Sequence, residues 1–470
     1  MENLVTLPLF DDYFLDFRPG TRRRWFAPEP YALAPLGAYC SMLTDPERGL
    51  YRVYYETLAD YGADGPRDLR LVEGTDPADL RPVEGAYGSN IVFDGDGGLH
   101  GSSVLYDPRD PDPARRYKLC CMTRVSRPRG PGWQHIPVVL SFSADGYAWE
   151  HHPEIVVHPF TSDARNTLYY NPVTKRYTLL YRSAAVDRRV SLKTSADLAH
   201  WTEPRVILHP GSVYNSDAAQ TQYYSMTAGW FDGIFYGLVW RYNVGLYDMD
   251  FSKMFGFMEP ELVYSFDGEE FSFTSGKPLM ERPYPPQPGC MGLAPMDIAP
   301  SLDGQWFYIL CGGTVFPHGT QENNKKMHDF LDGRVKMGCP IYRIRRDGFC
   351  GLEATCYGAQ VITKCLELLK PDLRFNLRSE CGWARFALLT PRGEPLPGFS
   401  YDDCVPFEFD GGTEVRPVWK EKTLEAALGQ QLRIAVELNS SVLHSIRATA
   451  RPFIAQRQTG FGAPYGLAEN

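Results

Sequence analysis

Ser143-Ala144-Asp145-Gly146-Tyr147-Ala148-Trp149 decides the reading of this chain, because its pattern recurs. Ser195-Ala196-Asp197-Leu198-Ala199-His200-Trp201 and Ser265-Phe266-Asp267-Gly268-Glu269-Glu270-Phe271 keep its spacing. Arg345-Arg346-Asp347-Gly348-Phe349 is a worn fourth copy. In such a stretch the Asp carboxylate accepts backbone N–H groups and Gly supplies a positive φ. The closing aromatic residue packs between neighbouring sheets. The signature is therefore structural rather than catalytic.

Working outward, Tyr-rich strands recur along the chain. They are Tyr51–Glu56, Tyr117–Arg124, Tyr177–Arg182, Phe235–Arg241 and Trp306–Gly313. Their ends recur about every 60 to 70 residues, the signature of a repeat architecture. Turn-forming stretches precede them, such as Asn171-Pro172-Val173-Thr174-Lys175 and Asp303-Gly304. Five repeats of four strands predict an all-β fold, a five-bladed β-propeller over residues 1–350. The first repeat is the least regular, with its third strand expected near Leu69–Val72. The segment Glu2 to Arg18 is expected to supply a strand that closes the ring and removes an exposed edge. Beyond about Gly351 short alternating strands take over, including Asp372–Leu377, Trp383–Leu389 and Leu432–Leu438. They predict a C-terminal β-sandwich over 351–470, an accessory domain to a catalytic propeller.

Composition agrees. Of 470 residues, 43% are hydrophobic, enough for a sizeable core, and 13% are aromatic, which suits strands. The net charge of −9 is spread among interspersed charges. No basic stripe marks a nucleic-acid partner. No apolar run reaches the roughly 18 residues of a membrane span. The eleven Cys form no CxxC pair, so no zinc site of the usual spacing is supported. The start of the chain lacks a signal-peptide pattern. Reduced thiols and a cytoplasmic location are expected.

In a propeller the first strand of each blade starts at one mouth of the central funnel, and the second strand ends there. Those second-strand ends supply Glu56, Arg124, Arg182 and Arg241, with His318 beyond the fifth. The first-strand starts supply His100, Asp163, Asn166, Asp217 and Tyr224. Glycosidic cleavage needs a protonated and an ionised carboxylate, and Asp163, Asp217 and Glu56 meet the positional requirement. Arg124, Arg182 and Arg241 suit the carboxylate or sulfate of an acidic sugar, or orient the protein's own carboxylates. Ion pairs between blades are the structural alternative. His100, Asn166, Tyr224 and His318 complete the candidate substrate contacts.

The chain resembles five-bladed propeller proteins related to glycoside hydrolase families 32 and 43, especially a group of uncharacterised bacterial members. The resemblance rests on Leu9-Phe10-Asp11-Asp12-Tyr13, Tyr106 to Tyr117, Asp163-Ala164-Arg165-Asn166, Gly237-Leu238-Val239-Trp240 and Pro397 to Cys404. The Ser-x-Asp turns likewise resemble those of sialidase propellers. The family 32 opening Asn-Asp-Pro-Asn-Gly is missing. Cys290-Met291-Gly292 stands where related chains carry Asp-Ser-Gly. The resemblance implies a glycoside hydrolase-like enzyme that cleaves an oligosaccharide, one with acidic groups included. The alternatives are a non-catalytic carbohydrate-binding propeller and a metal-dependent sugar deacetylase. In the last, His100, Asp163 and His318 would converge on a metal. No cofactor is required by the sequence, though a structural or catalytic divalent metal is compatible with it. The expected partner is a carbohydrate, and the oligomeric state is open.

Overall fold

The computed structural model describes residues 3–57, 67–124, 135–183, 188–208, 221–246, 255–318 and 338–452. These residues form strands, turns and short 3-10 segments, with no α-helix among them. The fold is all-β. No described helix is long and apolar enough to cross a membrane. The chain divides into two compact units, a larger one (28–231 and 235–343) and a smaller one (1–27, 232–234 and 344–470).

The larger unit contains five modules, each of four strands except the first, where Ile91–Phe93 adds a fifth beside Leu69–Gly74. Module one runs Ala38–Asp45, Leu50–Glu56, Leu69–Gly74 and Arg81–Pro82, and module two Leu99–Tyr106, Tyr117–Thr123, Val138–Ser143 and Glu150–His158. Module three runs Thr167–Asn171, Arg176–Arg182, Val190–Ser195 and Arg205–Leu208. Module four runs Thr221–Phe231, Ile234–Leu246, Phe255–Ser265 and Ser272–Phe273. Module five runs Gly292–Pro300, Trp306–Thr314 and Cys339–Arg345, and takes Glu29–Ala34 as its fourth strand. The first strands neighbour one another in a closed cycle, module five returning to module one.

Glu29–Ala34 corrects one expectation. The strand that completes the last module comes from 29–34, not from 2–18. Leu4–Pro8 pairs instead with Val442–Pro452, and Leu15–Phe17 with Ala359–Thr363, inside the smaller unit. A strand's sequence pattern reports its buried face, not its partner, so pairing was not legible there.

Apolar side chains fill the spaces between modules. Leu119 and Cys121 of module two pack with Leu69 and Leu71 of module one. Leu168 and Leu179 of module three meet Cys120, Met122 and Leu140 of module two. Each fully buried side chain of this size contributes roughly 1.5–3 kcal/mol.

The repeated turns seal these spaces as predicted. Ser143 Oγ accepts the Gly146 N–H at 2.8 Å, and Asp145 Oδ1 accepts those of Tyr147 and Ala148 at 2.8 and 3.1 Å. The same bonds recur at Ser195 and Asp197, and at Ser265 and Asp267. The residue after each Asp takes a positive φ, +81° at Gly146 and +71° at Gly268. Leu198 adopts +68° at the equivalent place, a strained conformation for a side chain with a Cβ. Its burial between modules two and three offsets that strain. Trp149, Trp201 and Phe271 each pack against the adjoining cluster. The worn copy differs: Asp347 itself takes φ +51° and its carboxylate lies 3.3 Å from Arg447.

One buried cation binds the inner strands together. Arg165 of module three donates to Cys40 O at 2.7 Å, Ser41 Oγ at 3.0 Å and Ser102 O at 3.3 Å, and lies 3.6 Å from Asp297. It thereby joins modules one, two, three and five.

The smaller unit has two sets of strands. One includes Gln431–Asn439 paired with Ala359–Thr363 and Trp383–Leu389. The other includes Val442–Pro452 paired with Leu4–Pro8, Arg374–Arg378 and Cys350–Ala354. Leu366–Leu368 pairs with both. Phe375 of one set stacks on Phe386 of the other, with ring centroids 4.3 Å apart.

Candidate functional site

Successive strands of an antiparallel module reverse direction, so three places in each module share one end. They are the start of the first strand, the end of the second and the start of the third. Side chains from these places meet across modules.

His100, at the start of the first strand of module two, is the junction. Its Nε2 lies 3.1 Å from Asp163 Oδ1, and its Nδ1 lies 3.5 Å from Glu56 Oε2. Glu56 is fully buried at the end of the second strand of module one, where Oε1 accepts the Ser102 N–H at 2.7 Å. Arg67, just before the third strand of that module, contacts His100 Nδ1 and lies 3.9 Å from Glu56 Oε2.

The two contacts at Nδ1 compete. Accepting from Arg67 requires an unprotonated Nδ1, whereas donating to Glu56 requires Nδ1–H. We favour the latter, because carboxylates flank the ring on both sides. Burial alone lowers the His100 pKa, but hydrogen bonds to Asp163 and Glu56 outweigh it and hold the pKa above its ordinary value.

Asp163 is the half-buried carboxylate of the group, its side chain 37% accessible. Arg182 Nη2, from the end of the second strand of module three, lies 3.1 Å from its Oδ2. Partial burial pushes its pKa up, but the His100 hydrogen bond and the Arg182 charge outweigh that and hold the carboxyl well below the usual range. Asp163 therefore carries a firm negative charge.

Beyond Asp163 the cluster becomes aromatic. The Arg182 guanidinium lies 4.8 Å from the Tyr224 ring centroid, and Arg188 lies 5.2 Å from those of Tyr224 and Tyr242. His318 reaches the hydroxyls of both tyrosines at 3.3 Å. Trp240 is nearly parallel to Tyr39 and Tyr224, with ring centroids 6.1 and 6.0 Å away. Tyr39 meets His100 edge-on at 5.0 Å. Each of the five modules thus contributes a side chain.

Of the sequence candidates, Glu56, His100, Asp163, Arg182, Tyr224 and His318 come together. Asn166 is buried beside them, donating to Gly101 O at 2.9 Å and Ala164 O at 3.2 Å. It holds the turn at Gly101, whose φ is +68° and where an added Cβ would stand 2.2 Å from Ala164 O. Two arginines stand apart from these contacts. Arg124 follows the end of its strand with φ +60° and pairs with exposed Asp96 at 2.7 Å. Arg241 lies on the strand face opposite Trp240 and Tyr242, because side chains alternate along a strand. Asp217 lies outside the described residues. His318 is engaged by the tyrosines, and among the described residues no group of three or more His, Cys, Asp or Glu is arranged to hold a metal ion.

Sequence reasoning missed Tyr39, Arg67, Arg188, Trp240 and Tyr242. Arg67 and Arg188 share a signal, since each stands two residues before a third strand, Leu69–Gly74 or Val190–Ser195.

No family model matches this chain, and no curated protein matches it. Solved structures are similar in fold, and glycoside hydrolases recur among them. A glycosyl hydrolase from Bacteroides ovatus is 12% identical, with a TM-score of 0.43 over 72% of this chain and 96% of that one. A GH43_12 protein retrieved from a capybara gut metagenome is 10% identical, with a TM-score of 0.42 over 68% and 53%. An N-acetylgalactosamine deacetylase from F. plautii, in complex with blood group B trisaccharide, is 12% identical, with a TM-score of 0.41 over 74% and 97%. At these values no functional residue is carried from any of them to this chain.

Proposed function

We propose that the larger unit is a five-bladed β-propeller, the smaller one a β-sandwich, and the protein a glycoside hydrolase-like enzyme acting on an oligosaccharide at the mouth of the funnel. The closed cycle of first strands supports the propeller. The two sets of strands meeting at Phe375 and Phe386 support the sandwich.

The observation that carries the function is Asp163, a solvent-reaching carboxylate held ionised by His100 and Arg182. An ionised carboxylate is the base or nucleophile that glycosidic cleavage needs. Half-buried Tyr39, backed by the near-parallel ring of buried Trp240, supplies an apolar face for a pyranose. Asp217 is the proposed acid partner. Glu56 acts from behind, because full burial and the Ser102 N–H leave it to set the charge and tilt of His100.

A screen of aryl glycosides and oligosaccharides against wild type and Asp163→Asn tests this reading. Loss of at least about 100-fold in kcat with unchanged folding is expected. Equal turnover by the variant would remove Asp163 from the chemistry. The burial of Glu56 favours a second reading, a carbohydrate-binding propeller without turnover. Tight glycan binding with no hydrolysis by wild type would establish it.

A further inference from the structure

Among the described residues the charges at the mouth do not balance. Its described carboxylates are Glu56 and Asp163, while its cations are Arg67, Arg182 and Arg188, joined by His100 when protonated. Arg67 faces Glu56 and Arg182 faces Asp163, whereas Arg188 has no carboxylate partner among the described residues. Arg188 Nη1 donates instead to the neutral amide oxygen of Gln222 at 2.7 Å. Arg188 Nε is buried without a hydrogen-bond partner among the described residues.

Both guanidinium groups lie near one ring, that of Tyr224. Two like charges on one aromatic ring repel each other, and a buried N–H donor left unmade is costly. An anion arriving with a ligand would meet both needs, since guanidinium N–H groups match the geometry of carboxylate and sulfate oxygens.

We propose that Arg188 and Arg182, beside Tyr224, form a subsite for an oxyanion, a carboxylate or sulfate ester on the bound sugar. That the anion rides on a sugar rests on the carbohydrate reading above. The oxyanion site itself rests on the two arginines alone. The subsite positions the substrate beside Asp163, which Arg182 contacts at 3.1 Å, without itself taking part in bond cleavage.

The test is binding to the full chain, followed by calorimetry or by the fluorescence of tryptophans that include Trp240. The probes are D-glucuronate, its neutral methyl ester, D-glucose and D-glucose 6-sulfate. Wild type is expected to bind glucuronate or glucose 6-sulfate at least about tenfold more tightly than the neutral sugars, equivalent to about 1.4 kcal/mol. The charged probe that wins names the source of the oxyanion. Arg188→Met should erase the preference, and Arg188→Lys, which keeps the charge but loses the planar fork, should retain part of it. Equal binding of charged and neutral sugars by wild type would overturn the proposal. So would an undiminished preference in Arg188→Met or, if that variant does not fold, in Arg188→Lys. Charge-dependent binding without hydrolysis would keep the subsite while removing the hydrolase reading, so the two fail separately.

Discussion

Two groups of arginines and carboxylates in this molecule look alike and are built differently. In the smaller unit, buried Arg447 faces Asp232 at 3.0 Å, Glu414 at 2.8 Å and Asp347 at 3.3 Å. Arg346 faces Asp232, and Arg374 faces Glu414 at 2.7 Å. Each of these three guanidinium groups meets a carboxylate. In the larger unit, the mouth cluster assembles Arg67, Arg182 and Arg188 around two described carboxylates and leaves Arg188 with a neutral amide and two tyrosine faces. The closed group holds strands together. The open one leaves a charge for a ligand to meet, as proposed above.

The comparison can be broken at several points. The largest effect is expected at Asp163, where Asp163→Asn should lower turnover at least about 100-fold and leave the melting temperature near that of wild type. A large loss of stability would make Asp163 a structural residue like those around Arg447.

Next comes Arg447 itself. Arg447→Met removes a partner from buried Asp347 and from Asp232 and Glu414. A loss of about 3–5 kcal/mol in denaturant unfolding is expected, the cost of breaking a buried charge network from one side. A loss below about 1 kcal/mol would mean that the closed group is not what holds those strands.

A smaller effect belongs to His100. Its folded pKa lies above the ordinary 6.5, so the stability from its charged form is complete below about pH 6.5 and is lost as pH rises through the folded value. His100→Gln should remove that alkaline decline from a series of melting curves. Asp163 runs the other way: its lowered pKa gives stability that is present above the ordinary 3.8 and lost in acid, as the pH falls through the folded value. A wild-type curve that stays flat above pH 6.5 would place the neutral ring at the junction, with Arg67 donating to it.

Much of the fold was legible because it repeats. The second strands stand where their tyrosines put them, and the Ser-x-Asp turns make the same bonds three times. Pairing across distance was not legible. Nothing in Glu29–Ala34 names module five as its partner, and nothing in Leu4–Pro8 names Val442–Pro452.

The site was half legible for a similar reason. Taking one end of each module found Glu56, His100, Asp163, Arg182, Tyr224 and His318. The same reasoning overlooked that third strands also start there, which hid Arg67 and Arg188. It also treated Arg124, Arg182 and Arg241 as equivalent. Equivalence along the chain does not fix which strand face a side chain takes, and one residue of offset reverses it. Arg182 turns toward Asp163, Arg241 lies opposite Trp240, and Arg124 leaves the strand altogether.

The most direct test sets one arginine of each group against the other in thermal unfolding without ligand. If the charge on Arg188 is held for a ligand, Arg188→Met should melt at or above the wild-type temperature, while Arg447→Met melts well below it. Equal destabilisation by the two substitutions would contradict the account, because both arginines would then serve the fold alone.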